Sequence, residues 1–285
     1  MIKIVLITIC TLLAGARIWS TVDGVIANST NNNFPAFEKL TAAPKDYVKN
    51  RTTVYIGGYE FAPFVTLDTN NEAHGITKDL IHALNDIQDE YNFRFVLTSP
   101  KRRYQSFKQG SFDLMLFESK VWGWKNTNTD FSKVYLNGGE VYITIDDGKK
   151  DKTYFNNFSN KKLAIMRGYH YGFADFNSDE DFLITNFKTA IVNSNSTIFK
   201  MLLAGRADIG VVTMSYIDLY FQNNPTQKKK FLISNKLDQV YNHTVLVRKN
   251  TRPNVRDINN LLSKLKRDGH LQKIWKKYGL SMNRF

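Results

Sequence analysis

The sequence predicts an α/β protein of two tandem units, each a mainly parallel sheet flanked by helices, with the carboxyl edges of the two sheets facing across a cleft. Three observations lead there. Short β-rich runs alternate with segments of helical periodicity along the chain. A helix-Gly-x-x-Asp-strand pattern occurs as "FKQGSFDLML" and again as "LLAGRADIGVV". Two extended runs, "GGEVYITIDDGKK" and "QVYNHTVLVRKN", stand where the chain would pass between the units.

Taken in order, "TVYIGGY" is a β-rich run ending in glycines. "GITKDLIHALNDIQDEYN" places Ile76, Leu80, Ile81, Leu84 and Ile87 on one helical face. "FRFVLTS" alternates as a strand, "RRYQSFKQG" is a short helix stopped by Gly110, and "FDLMLF" is a buried-type strand. This alternation implies crossover connections and a mainly parallel sheet. "KLAIMRGY" then echoes "TVYIGGY", since one strand ends at Gly58-Tyr59 and the other at Gly168-Tyr169. The tail reads as two helices, 254–267 and 270–278, broken at Asp268-Gly269. In such sheets ligands bind beyond the carboxyl ends of the strands.

The bulk numbers fit a globular body: 285 residues, 42% of them hydrophobic and 23% charged. "MIKIVLITICTLLAGA" has a lysine, an apolar run and a small-x-small ending at Ala14-Gly15-Ala16, so residues 1–16 are expected to be a signal peptide for export. The run is shorter than the roughly 20 apolar residues of a spanning helix. Residues 17–50, rich in Asn, Thr and Pro, are expected to be a flexible leader. Cys10, the only cysteine, lies in the presumed signal, which leaves the mature chain no thiol or disulfide chemistry. Five scattered histidines with no His-x-x-x-His pair give no metal motif, and no cofactor is expected. The formal charge of +13 is spread along the chain except at Lys228-Lys229-Lys230 and the last helix, so we read it as surface charge and expect no nucleic-acid partner.

Several motifs carry a resemblance. These are "VYIGGYEFAPF", "HGITKDLIHAL" with Gly75 and Asp79, the two Gly-x-x-Asp strand entries, "DFSKVY" and the closing "LKRDGHLQKIWKKYG". Together, from about residue 53 to 280, the chain resembles the bacterial extracellular solute-binding proteins of family 3, the type II periplasmic binding proteins of amino-acid ABC transporters. The resemblance implies a first lobe over 51–143, a second over 144–237, and a return strand with helices over 238–285 completing the first. It implies a periplasmic monomer that closes by a hinge motion on a small polar solute, an amino acid or similar compound, and presents it to a membrane permease.

Family members hold the ligand carboxylate with an arginine whose position here is Lys125, which keeps the charge without the planar fork. The resemblance places a second anchor at the Gly168-Tyr169 turn. It places a third, an acid, nearest Thr213 or Met214, and Glu118 on the expected cleft rim is the compensating acid. Tyr59, Phe61, Trp122, Trp124 and Tyr169 are expected as walls, and Phe61 and Tyr135 also suit the core. Trp122 and Trp124, two apart, face one side if extended. Arg167 is expected to reach an anionic ligand or to pair across the lobes, and His170 to lie on the surface. Two other readings stay open. One is a cyclohexadienyl-dehydratase-like enzyme with Glu118 as acid or base; the other is a ligand-binding sensor or scavenger.

Overall fold

The computed structural model describes residues 50–280. The expected signal peptide and nearly all of the leader fall outside the described residues.

In chain order the strands and helices are β1 (Thr52–Gly58), β2 (Thr66–Leu67), β3 (Ala73–His74), α1 (Ile76–Asp86), β4 (Tyr91–Leu97), α2 (Arg103–Lys108), β5 (Leu114–Glu118), β6 (Thr129–Phe131) and β7 (Leu136–Ile145). There follow β8 (Leu163–Met166), α3 (Glu180–Phe187), β9 (Thr189–Val192), α4 (Asn195–Leu203), β10 (Ile209–Thr213), α5 (Met214–Asn223), β11 (Phe231–Arg248), α6 (Val255–Arg267) and α7 (His270–Lys277).

The main sheet runs β4-β1-β5-β11-β7-β10-β8-β9, with β6 on β11. Each end is a parallel triplet: β1 pairs β4 and β5 in parallel, and β8 pairs β10 and β9 in parallel. The centre is antiparallel, because β11 and β7 pair from Phe231↔Ile145 to His243↔Leu136, and β11 then continues onto β5. Two long strands therefore join the halves; β7 begins two residues before the first extended run and ends within it at Ile145, and β11 begins eight residues before the second and ends within it at Arg248. Gly138 is required where they cross, since a Cβ there would lie 2.2 Å from the Tyr241 ring and 2.7 Å from His243 Nε2.

Local causes are clear in each half. Of the face expected for α1, Ile76, Leu80, Ile81 and Leu84 are buried, with Thr77 and Ala83 beside them, whereas Ile87 caps the helix and is partly buried. Burying each such side chain contributes about 1.5–3 kcal/mol, so Leu80→Ala would leave a cavity in the first half. The repeated Gly-x-x-Asp entry also has a spatial meaning. Asp113 N–H donates to Tyr55 on β1, and Asp208 N–H donates to Lys162 just before β8. Their carboxylates then diverge, with Asp113 accepting from Arg248 Nε at 2.8 Å and Asp208 from Lys162 N–H at 2.7 Å. α6 starts at Asn254 with a reciprocal cap to Asp257 and ends before Gly269, whose φ of 79° breaks the tail. Trp275 of α7, fully buried, closes the first half from behind.

Candidate functional site

The carboxyl ends of β1, β5 and β8 converge, and the residues just beyond them meet with α2, β7 and β11 around one enclosed cavity. Its lining is Tyr59, Phe61, Arg103, Trp122, Glu140, Gly168, Tyr169, His170 and Gln239, and the free space between them is about 10 Å³. That is room for about one water. Rings from both halves touch here, with Phe61 and Tyr169 edge to face at 5.6 Å and Tyr59 and Tyr169 at 6.5 Å.

The first wall is organised by Arg103, whose side chain is 2% exposed. The guanidinium lies 4.4 Å from the Tyr104 ring centroid and 5.1 Å from that of Tyr59. It donates to Pro100 O, and its Nε stands 3.5 Å from Glu118 Oε1. Glu118 is fully buried, and its Oε2 accepts from Trp124 Nε1 at 2.6 Å. Burial pushes the Glu118 carboxyl up against the opposing pull of Arg103 and Trp124. Arg103 is opposed by burial but is held protonated by Glu118 and the surrounding tyrosines. β5 has one extra residue between Met115 and Glu118 relative to Leu246 and Thr244 of β11, and Phe117 takes φ 60° there. Such a bulge redirects the end of a strand, and here it ends on Glu118.

The second wall is uncharged at its tip. Gly168 has φ 72°, and a Cβ there would come within 3.0 Å of Pro100 and 3.1 Å of the Lys101 side chain, so the turn lets the halves approach. Tyr169 Oη and His170 Nδ1 are buried without a hydrogen-bond partner. Burial, then Arg103, lowers the His170 pKa from 6.5 to about 4, so the ring is neutral at pH 7. At the base, Glu140 Oε2 accepts from Gln239 Nε2 at 2.7 Å, and Gln239 Oε1 accepts from Trp122 Nε1 at 3.2 Å. Burial, reinforced by Asp238, raises the Glu140 carboxyl well above the usual range. At the mouth Glu180 pairs with Lys101 at 2.5 Å and also with Arg167.

Of the residues expected from sequence, Tyr59, Phe61, Trp122, Gly168 and Tyr169 line the cavity. The others are placed differently. Lys125 is exposed and lines a separate open groove with Lys120 and Lys249. Glu118 lies behind the wall instead of on a rim. Trp122 and Trp124 sit in a turn in which Trp122 N–H donates to Ser119 O, so they part: Trp122 goes to the cavity and Trp124 to Glu118 and the outer groove. Thr213 is buried outside the cavity lining, with its hydroxyl unpartnered. Arg167 pairs with Glu180 and Asn193 of its own half. His170, expected on the surface, is 8% exposed. Tyr135 packs in the core, accepting from Phe117 N–H at 2.9 Å.

Arg103, Glu140 and Gln239 also line the cavity without being singled out by the sequence, as does His170, which the sequence places on the surface. Arg103 carries a local signal, since it opens a helix just after a strand and so stands on the carboxyl edge. Glu140 is an acid interrupting an apolar run, and His170 follows the glycine turn. Gln239 has no local signal.

Two half-sheets joined by two long strands, with polar groups from both meeting in an enclosed cleft, define a two-lobed binding protein. The chain belongs to the bacterial extracellular solute-binding proteins, family 3, whose family model matches residues 54–281. A "Probable histidine-binding protein" of Neisseria gonorrhoeae is 25% identical over 219 residues, covering 77% of this chain and 80% of that one. Among solved structures, a substrate-binding protein of an ABC uptake transporter from Streptococcus pneumoniae with bound histidine has a TM-score of 0.65 at 19% identity, covering 84% of this chain and 97% of that one. A mutant of ArgBP from T. maritima has a TM-score of 0.61 at 20% identity, covering 82% and 97%. At these identities the structural likeness speaks to the fold. Among the described residues no helix is long and apolar enough to cross a membrane, and no group of three or more His, Cys, Asp or Glu is placed to hold a metal.

Proposed function

We propose that this protein captures an amino acid or amino-acid-like solute outside the cytoplasmic membrane by closing its lobes, and delivers it to the permease of an ABC importer. The observation that carries this reading is a convergence on one cleft. Tyr169 Oη and His170 Nδ1 from the second lobe are buried without hydrogen-bond partners, and they line the same cavity as Arg103 of the first lobe, whose Nε makes only a 3.5 Å ion pair with Glu118. Buried polar atoms are almost always satisfied, so an unsatisfied set at a lobe boundary fits a ligand's donors and acceptors. Arg103 takes the solute carboxylate, while Tyr59, Phe61, Trp122 and Tyr169 cover its apolar part. With about 10 Å³ free, entry requires the lobes to part about the β7 and β11 crossing. The names of the gonococcal relative and the histidine-bound neighbour support the amino-acid class.

The test is a thermal-shift screen of amino acids, polyamines and organic acids followed by calorimetry, because a ligand of the folded state raises the melting temperature. Amino acids should shift it at millimolar concentration; no shift from any class would defeat the reading. A second reading, a dehydratase, rests on buried Glu118 beside Arg103, and one structural neighbour is an ancestral amino acid-binding protein described as a precursor of cyclohexadienyl dehydratase. Prephenate and arogenate should give no product. Turnover that disappears in Glu118→Gln would replace capture by catalysis.

A further inference from the structure

A second hollow lies in the first half of the molecule, where the loop before β7 meets α6 and α7. Its free space is about 230 Å³, against about 10 Å³ in the cleft, and the two share no lining residue. The floor is apolar. Leu262 of α6 and Leu271 and Trp275 of α7 are buried core residues that also face this space, and the Tyr135 ring lies at 28° to that of Trp275 with centroids 6.4 Å apart. Packed from behind, the floor keeps its shape whether or not anything occupies it.

The unanswered groups around this floor are donors and cations. Lys133 and Lys266 stand exposed at the rim, and among the described residues neither is in an ion pair. Trp275 Nε1, a donor only, is buried without a hydrogen-bond partner. The acceptors nearby are taken: Asn259 Oδ1 accepts from Lys133 N–H at 2.8 Å and Tyr135 Oη from Phe117 N–H at 2.9 Å. No aspartate or glutamate lines the hollow. The open groove that holds Lys125 is different, since Asp130 and Asp175 line it as well and Asp130 stands 3.9 Å from Lys249. There the charge is answered within the protein; here it is left to something else.

Size and charge together define the occupant. A dry cavity of about 150 Å³ holds benzene, so this hollow takes one ring with a short arm. We propose that it is a second binding site, separate from the cleft, for a small aryl-alkanoate anion. The ring lies over Leu262, Leu271 and Trp275, and the carboxylate remains at the rim between Lys133 and Lys266. A lysine meets a carboxylate as a point charge, so the site selects for charge and apolar shape more than for exact head-group geometry.

The test titrates the full chain with 3-phenylpropionate, 3-phenylpropan-1-ol and 3-phenylpropylamine, which share ring and arm and differ in charge, and follows backbone amide shifts by NMR. The acid should move amides over 259–275 with a Kd of about a millimolar or below, weakening as salt is raised. The amine should bind at least about tenfold more weakly. Lys133→Gln combined with Lys266→Gln should weaken the acid at least about fivefold and leave the alcohol unchanged, because two charge contacts go while the floor stays. Both lysines are exposed and unpaired, so the doubly substituted protein should melt where wild type does. Acid-induced shifts confined to cleft residues such as Gly168 and Tyr169 would put the anion in the cleft and remove this site. Equal binding of acid and amine, or an acid indifferent to the double substitution, would leave an unselective dent and remove it too. No shift over 259–275 at about 10 mM acid ends the proposal. None of these outcomes bears on solute capture, which rests on other residues.

Discussion

On one wall of the cleft Arg103 is already paired with Glu118 and stacked on Tyr104 and Tyr59, whereas on the facing wall Tyr169 Oη and His170 Nδ1 have no partner. The first wall is preorganised, because its charges are set against each other before a solute arrives. The second wall has two buried polar atoms still unanswered, and under the proposed reading they gain partners when a solute is held. A two-lobed binder needs this asymmetry: one lobe receives the solute and the other is recruited by it. The contrast predicts that stability is concentrated in the first wall and ligand dependence in the second, and variants can separate them.

The largest effect should come from Arg103→Ala. It strands Glu118 as an uncompensated buried acid, so we expect a loss of about 3–5 kcal/mol in unfolding free energy and of at least about 100-fold in affinity. Adding Glu118→Gln should restore much of the stability, read by urea unfolding, without restoring binding. Recovery of both would mean that Arg103 is a structural group only.

Tyr169→Phe is the complementary test on the second wall. The hydroxyl has no partner in the protein, so ligand-free stability should hold or rise by up to about 1 kcal/mol while affinity falls about tenfold. A loss of stability at unchanged affinity would reverse the contrast between the walls.

The same wall should respond to acid. The folded-state pKa of His170 is lowered from 6.5 to about 4, so between those values the unfolded chain binds the extra proton and stability falls as pH drops. His243, lowered to about 3 by burial in the crossing, acts in the same direction. Unfolding at pH 7 and pH 5 should show a smaller loss in His170→Gln than in wild type. An equal loss would place the acid sensitivity elsewhere.

The smallest effect is expected from Lys125→Ala. Exposed in the outer groove, Lys125 should change affinity by less than about twofold. A larger loss would bring that loop back to the ligand.

How much was legible depended on range. The helix face of α1, the extent of α6, the breaks at Gly110 and Gly269, and the Gly-x-x-Asp entries to β5 and β10 follow from spacing within a few residues, and the structure has them. Tyr59, Gly168 and Tyr169 line the cavity because they follow strands on an edge that the parallel pattern itself implies. Lys125 matches the anchor position only by residue count through a loop, and the turn at Trp122 carries the following residues outward.

The order of strands and helices, the doubling of the unit and the two crossing runs were therefore determined by the sequence itself, since periodicity and glycine punctuation are local properties of a chain. The chemistry of the cleft was decided only by the tertiary structure. Arg103 meets Glu118 fifteen positions away, and Glu140 meets Gln239 across ninety-nine. Pairings of that kind exist only once the β5 bulge and the β7–β11 crossing bring strand ends together and exclude water. The physical reason is that burial and pairing are properties of a residue's surroundings, and an isolated glutamate in a strand carries neither.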